Sequence, residues 1–253
     1  MKKKLKVDYL AVTCSIMIVF MGLFIYRMVL TRQINSDKVE YGSEIVWNGP
    51  TDQKIVALTF DDGPHPRYTP KILDLLKEYD IKATFFVLGK HVERYPETVK
   101  RMIAEGHEIG NHTYSHINVR ESSKEKIEEE FEKTQRAVFS LTGVKPQFFR
   151  PPFGFYNEAT VGIAREAGCK IILWSTHQDS KDWSNPGIYK IIETVLTKTQ
   201  NGDIILLHDY VEGESQTLEA LKEILPELKN RGYSFVTISQ VIEMNALEDI
   251  KND

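Results

Sequence analysis

From Lys54 onward the chain alternates short apolar runs with longer stretches in which apolar residues recur every three to four positions. The short runs are rich in β-branched and aromatic residues and predict strands over 55–60, 83–88, 107–110, 147–150, 170–175, 203–207 and 234–238. Helices are expected between them, over 69–79, 95–105, 122–141, 157–167, 187–199, 215–230 and 239–246. In the first, Ile72, Leu75 and Leu76 share a face. In 122–141, Ile127, Phe131, Thr134 and Val138 face inward behind a charged outer surface. Seven βα alternations build a parallel sheet covered by helices. The expected fold class is α/β, a closed or nearly closed barrel, with an open doubly wound sheet as the alternative. In both, chemistry sits at the C-terminal ends of the strands.

The N-terminus follows another pattern. Lys2, Lys3, Lys4 and Lys6 precede an uncharged, mostly apolar run from Tyr9 to Tyr26, closed by Arg27. Those 18 residues reach roughly 27 Å as a helix, just enough to span a bilayer. The lysines favour a cytoplasmic N-terminus, which places the rest of the chain outside the cytosol. A cleaved signal peptide would need a small-x-small site, and none is evident. Lipidation at Cys14 is disfavoured by the bulky Thr13 before it, and a buried core helix by the lysine cluster. The expected organisation is a cytoplasmic tail (1–8), a transmembrane signal-anchor helix (9–30), a polar linker (31–53), a catalytic domain (54–246) and a short tail (247–253). The protein is expected at the cell membrane, single-pass, with the domain extracytoplasmic.

The net charge is −4, and the positive N-terminus leaves the remainder more acidic still. That argues against nucleic acid, whose phosphates need basic patches. Cys14 and Cys169 are the two cysteines, one in the expected span and one in the domain, so no disulfide is expected. The oligomeric state is not legible.

Chemistry-bearing residues gather at the strand ends. The run Ile55–Phe60 stops at Asp61-Asp62-Gly63-Pro64. Adjacent carboxylates repel unless something pairs with them; a cation on one would leave the other free for proton transfer. His112 and His116 are four apart, so both rings share one face if that segment starts a helix. With Asp62 they make two imidazoles and one carboxylate, a zinc-type catalytic set with an open position. His208 follows Ile204-Ile205-Leu206-Leu207, and Asp182 can orient its ring and raise its pKa, making an acid. Arg150 is placed to pair with Asp61 and hold it as a base. Pro151 and Pro152 stiffen the backbone so that the Phe153 amide can meet developing negative charge. Phe153, Tyr156 and Trp183 are either packing residues or platforms for a sugar ring.

These residues resemble the NodB-homology polysaccharide deacetylases, carbohydrate esterase family 4, over about residues 54–245. The motifs stand in order as Thr59-Phe60-Asp61-Asp62-Gly63, His112-Thr113-Tyr114-Ser115-His116, Arg150-Pro151-Pro152-Phe153, Asp179-Ser180-Lys181-Asp182-Trp183 and Leu206-Leu207-His208. The resemblance implies a distorted (β/α) barrel with seven or eight strands. It implies Asp61 as general base, Asp62, His112 and His116 as metal ligands, and His208 as general acid tuned by Asp182. It implies Arg150 holding Asp61, the Phe153 amide completing an oxyanion site, and Trp183 and Leu206 lining the acetyl pocket. The cofactor implied is a divalent metal, Zn²⁺ first, with Co²⁺ or another divalent ion as alternatives. Phe153 departs from the family's usual tyrosine, and the segment 175–178 looks lengthened. The expected function is removal of N-acetyl groups from an N-acetylated glycan polymer, with peptidoglycan the polymer within reach of a tethered outer domain. The alternatives are an O-acetyl, xylan-type esterase and a glycan-binding homologue without catalysis.

Overall fold

The structure is a computed structural model, and its described residues are Met17, 19–26, Met28, Gly42 and 44–252. The chain divides into two units, Met1–Ser43 and Glu44–Asp253. In the first, Met17, 19–26 and Met28 are helical. The rest of the expected 9–30 span lies outside the described residues. No helix among the described residues is long and apolar enough to cross a membrane.

The second unit is an α/β fold around an eight-stranded parallel sheet in the order β1-β6-β5-β4-β3-β2-β7, with β8 also on β2. The strands are β1 (Ile45–Val46), β2 (Ile55–Asp61), β3 (Thr84–Val87), β4 (Glu108–Asn111), β5 (Phe148–Phe149), β6 (Lys170–Ile172), β7 (Asp203–His208) and β8 (Ser234–Val236). The helices are α1 (Tyr68–Glu78), α2 (Gly89–Arg94), α3 (Pro96–Ala104), α4 (Lys124–Thr142), α5 (Glu158–Glu166), α6 (Ile188–Lys198), α7 (Thr217–Asn230) and α8 (Ile238–Asn252). Seven strands and seven helices fall where the hydrophobic pattern puts them. β1 lies inside the segment expected as linker, where Ile45 and Val46 pair with Ile171 and Ile172. The short α2 was not expected at all.

The gap between β6 and β7 is bridged by the stretch that looked lengthened. Ser175 N–H donates to the Ile204 carbonyl at 3.0 Å, and Asp179 pairs in parallel with Leu206. This stretch therefore runs beside β7 and brings Asp179 and Asp182 to the rim.

β2 is buried along its whole length, and its period of two assigns each side chain to a layer. Val56, Leu58 and Phe60 pack outward against Ile72 and Leu76 of α1 and Leu221 and Leu225 of α7. Ile55 and Ala57 pack on the other face with Phe86, Phe148, Ile172 and Ile204. Each buried Val, Leu, Ile or Phe among these contributes about 1.5–3 kcal/mol. The same alternation sends Thr59 and Asp61 inward from β2, and Leu206 and His208 inward from β7.

Candidate active site and metal centre

Asp61 ends the inward row of β2 and is buried, 3% exposed. A carboxylate there needs a partner, and the fully buried Arg150 supplies it. Arg150 Nη1 donates to Asp61 Oδ1 at 2.7 Å and to Thr59 Oγ1 at 2.8 Å. Its Nε and Nη2 donate to the carbonyls of Ile172 and Leu173, and its guanidinium lies 4.1 Å from the centroid of the Phe86 ring. Removing either charge would strand the other in the core, at about 3–5 kcal/mol.

Asp62 breaks from the strand in the left-handed region, with φ of 73°. Its Oδ1 is buried and has no hydrogen-bond partner among the described residues. His116 Nε2 lies 3.3 Å from that oxygen and His112 Nε2 3.5 Å. His112 Nδ1 donates to the Arg150 carbonyl at 2.5 Å, which turns the lone pair of Nε2 toward the cavity. The ligand atoms of Asp62, His112 and His116 all lie within 4.8 Å of one another. Burial pushes the Asp62 carboxyl up and pulls both imidazoles down. An orphaned carboxylate oxygen facing two neutral ring nitrogens is a poor hydrogen-bonding arrangement and a good donor set for a divalent cation.

The two histidines do not meet on a helix, as their spacing suggested. Their segment is a loop in which Thr113 (φ 67°) and His116 (φ 68°) are both left-handed. Asn111 Oδ1 accepts from Thr113 N–H, Thr113 Oγ1 accepts from His116 N–H, and the Glu130 carboxylate accepts from Ser115. This folding brings the ring centroids to 5.1 Å.

His208 stands in register with Asp61 on the neighbouring strand. Its Nδ1 donates to Asp182 Oδ1 at 2.7 Å. Asp182 Oδ2 accepts from the His208 N–H at 2.8 Å and the Thr217 hydroxyl at 2.6 Å, which fixes the carboxylate. Burial pulls the imidazolium down, but the Asp182 charge and hydrogen bond, with Asp61 and Asp62 beyond, outweigh it and push His208 up to about 9.

Asp61, Asp62, His112, His116 and His208 face one cavity of about 310 Å³. Phe153, Trp183 and Leu206 line it. Phe153 follows Pro151-Pro152 in the left-handed region (φ 62°), its ring edge-on to His116 at 4.7 Å. Its N–H makes no hydrogen bond within the described residues. Tyr156 is not among the lining residues and packs edge-on against Trp47. Trp174 takes the wall position that sequence reasoning missed. It sits so close to Gly154 that a Cβ there would come within 2.7 Å of its ring. Thr59 and Thr217 were also missed. Thr59 was findable from its place two residues before Asp61, whereas Thr217 carries no local signal.

The family model for polysaccharide deacetylase matches residues 48–172. A peptidoglycan-N-acetylglucosamine deacetylase of Bacillus cereus is 48% identical over 198 residues, covering 78% of this chain and 92% of that protein. A chitooligosaccharide deacetylase of Bradyrhizobium is 36% identical over 198 residues, covering 74% and 90%. Among solved structures, a peptidoglycan N-acetylglucosamine deacetylase superposes with a TM-score of 0.77 at 38% identity, covering 81% of this chain and 96% of that one. The motifs along the strand ends and these likenesses agree, and the chain belongs to the NodB-homology polysaccharide deacetylases of carbohydrate esterase family 4 and is a polysaccharide N-deacetylase.

Proposed function

We propose that this chain removes N-acetyl groups from the N-acetylglucosamine or N-acetylmuramic acid units of peptidoglycan, with Asp62, His112 and His116 holding a divalent ion. The polymer is suggested by the name of the 48% identical relative. Two imidazoles and one carboxylate suit Zn²⁺, with Co²⁺ or another divalent ion as alternatives. When bound, the ion supplies Lewis-acid polarisation of the acetyl carbonyl and a lowered pKa for a water.

The chain's own residues do the remaining work. Asp61, held by Arg150, takes the proton of the attacking water as its oxygen bonds to the carbonyl carbon. The Phe153 N–H donates to the oxyanion that develops there. An amide nitrogen cannot leave as an anion, so His208 delivers a proton to it as the C–N bond breaks. Trp183 and Leu206 enclose the acetyl methyl. The products are acetate and a sugar with a free amine.

The observation that carries this reading is the pairing of Asp61 with His208 across β2 and β7, a base and an acid facing the same cavity as the three-ligand cluster. The test is mass spectrometry of peptidoglycan fragments, chitin oligomers and acetylated xylan after incubation with residues 40–253 and Zn²⁺. One acetyl mass should be lost per modified sugar from peptidoglycan. Loss from xylan alone would make the enzyme an O-acetyl esterase, and loss from none would make it a glycan-binding homologue.

We place the catalytic unit outside the cytosol and tethered at its N-terminus, on the strength of the lysine cluster and the apolar run behind it. Protease added to intact cells should cleave the catalytic unit. Protection until the cells are lysed contradicts that location.

A further inference from the structure

The metal ligands come from two separate loops, the Asp62 corner after β2 and the His112–His116 loop after β4. One short turn touches both. Leu88 N–H donates to the Gly63 carbonyl at 3.0 Å, Gly89 N–H to the Thr113 carbonyl at 3.1 Å, and Lys90 N–H to the Tyr114 carbonyl at 3.1 Å. His91 completes the series, its Nδ1 lying 2.7 Å from the Asp62 carbonyl oxygen. A carbonyl carries no proton, so Nδ1–H is the donor. Four consecutive residues at the start of α2 therefore reach both halves of the site.

The brace is itself held. His91 is buried and stacks on Tyr210, with ring centroids 4.2 Å apart and planes 16° from parallel. Tyr210 lies two residues beyond His208. Gly89 leaves no room for adjustment, because a Cβ would come within 2.6 Å of the Tyr114 ring and 2.7 Å of Thr134 Oγ1. At the next residue, a Cβ on Gly63 would come within 2.1 Å of the Asp209 carboxylate, whose Oδ2 accepts from Thr69 Oγ1 at 2.5 Å. The Asp62–Gly63 corner is thus held by His91 at the Asp62 carbonyl and confined by Asp209 at Gly63. A left-handed aspartate needs such a clamp, because L side chains rarely adopt that backbone. The backbone angles of Asp62 fix where its Cβ, and so its carboxylate, points.

We infer that His91 is a positioning residue for the metal centre, and that its hydrogen bond to the Asp62 carbonyl sets the site's affinity for a divalent cation. The inference rests on the assignment of Asp62, His112 and His116 as ligands. His91 is neither in the three-ligand cluster nor among the residues that line the cavity. It acts through the Asp62 backbone, as outer partners of ligands do elsewhere.

The test is the Zn²⁺ dissociation constant of the purified chain, measured by competition with a chelating dye. His91→Phe keeps an aromatic ring on Tyr210 and deletes the donor; it should weaken Zn²⁺ binding by about 10–100-fold. His91→Asn places an amide N–H where Nδ1 was and should recover most of that loss. His91→Gln carries its amide one carbon too far and should not. The melting temperature of the metal-free variants controls for folding, and the Asn and Gln pair decides the matter if the Phe variant is unstable. Wild-type affinity in both the Phe and Gln variants, or Asn no better than Gln, overturns the role of His91. A wild-type chain that binds no Zn²⁺, or one whose affinity survives Asp62→Ala, overturns the ligand assignment instead.

Discussion

At the end of β4, His112 is buried and His116 half-buried, no carboxylate among the described residues is hydrogen-bonded to either ring, and burial pulls both pKa values down. At the end of β7, His208 is as buried but bonds Asp182 through Nδ1, and it is pushed up to about 9. His112 also donates through Nδ1, but to the neutral carbonyl of Arg150, which turns the ring without charging it. The same side chain thus becomes a lone-pair donor on one side of the cavity and a proton donor on the other. What separates them is whether the atom behind Nδ1 bears a charge.

The largest way to break this contrast is to remove the group the two neutral rings face. Asp62→Ala should release the bound ion and take turnover to background, a greater loss than a positioned acid accounts for; ion content by mass spectrometry and acetate release check both halves. His208→Ala should keep the ion and lose about 10²–10⁴-fold in kcat. Loss of the ion in that variant would erase the division of labour.

Asp182→Asn sharpens the comparison by making His208 resemble His112, with a neutral group behind Nδ1. The acid works only while protonated, so activity falls as pH rises through the His208 pKa. Without the Asp182 charge that pKa drops, and the alkaline limb of kcat/KM should move to lower pH. The linkage has the same sign for stability. A folded pKa raised from 6.5 to about 9 stabilises the protein fully below 6.5, and the contribution is lost as pH climbs through about 9. The Asn variant should lack that loss. A cation bound nearby opposes the shift, so His208 should titrate lower with Zn²⁺ present than without it, which NMR of the imidazole reads directly. Phe153→Tyr is the smallest perturbation. The backbone N–H is unchanged, so kcat should change far less than the ~10²-fold that loss of an oxyanion donor costs.

Most of this was legible because each motif follows an apolar run, and strand alternation then orients the side chains. Asp61 and Thr59 share a face by parity alone, as do Leu206 and His208. Four features were not legible. The spacing of His112 and His116 is the same in a helix and in this loop, and left-handed Thr113 decides between them. Helix α2 has too few residues to show a period, although it braces both ligand loops. Tyr156 and Trp174 are both aromatics near motifs, and only the packing of Trp174 on Gly154 gives it the wall of the cavity. β1 is too short to stand out from polar neighbours, and it pairs with β6 only once the sheet exists.

The decisive measurement is anomalous diffraction at the zinc edge from crystals of the chain grown with Zn²⁺. One strong peak is expected among the Asp62 carboxylate and the Nε2 atoms of His112 and His116, with Asp61 still bonded to Arg150 and outside the coordination sphere. A peak on His208 and Asp182, or no peak beside Asp62, would contradict the ligand assignment.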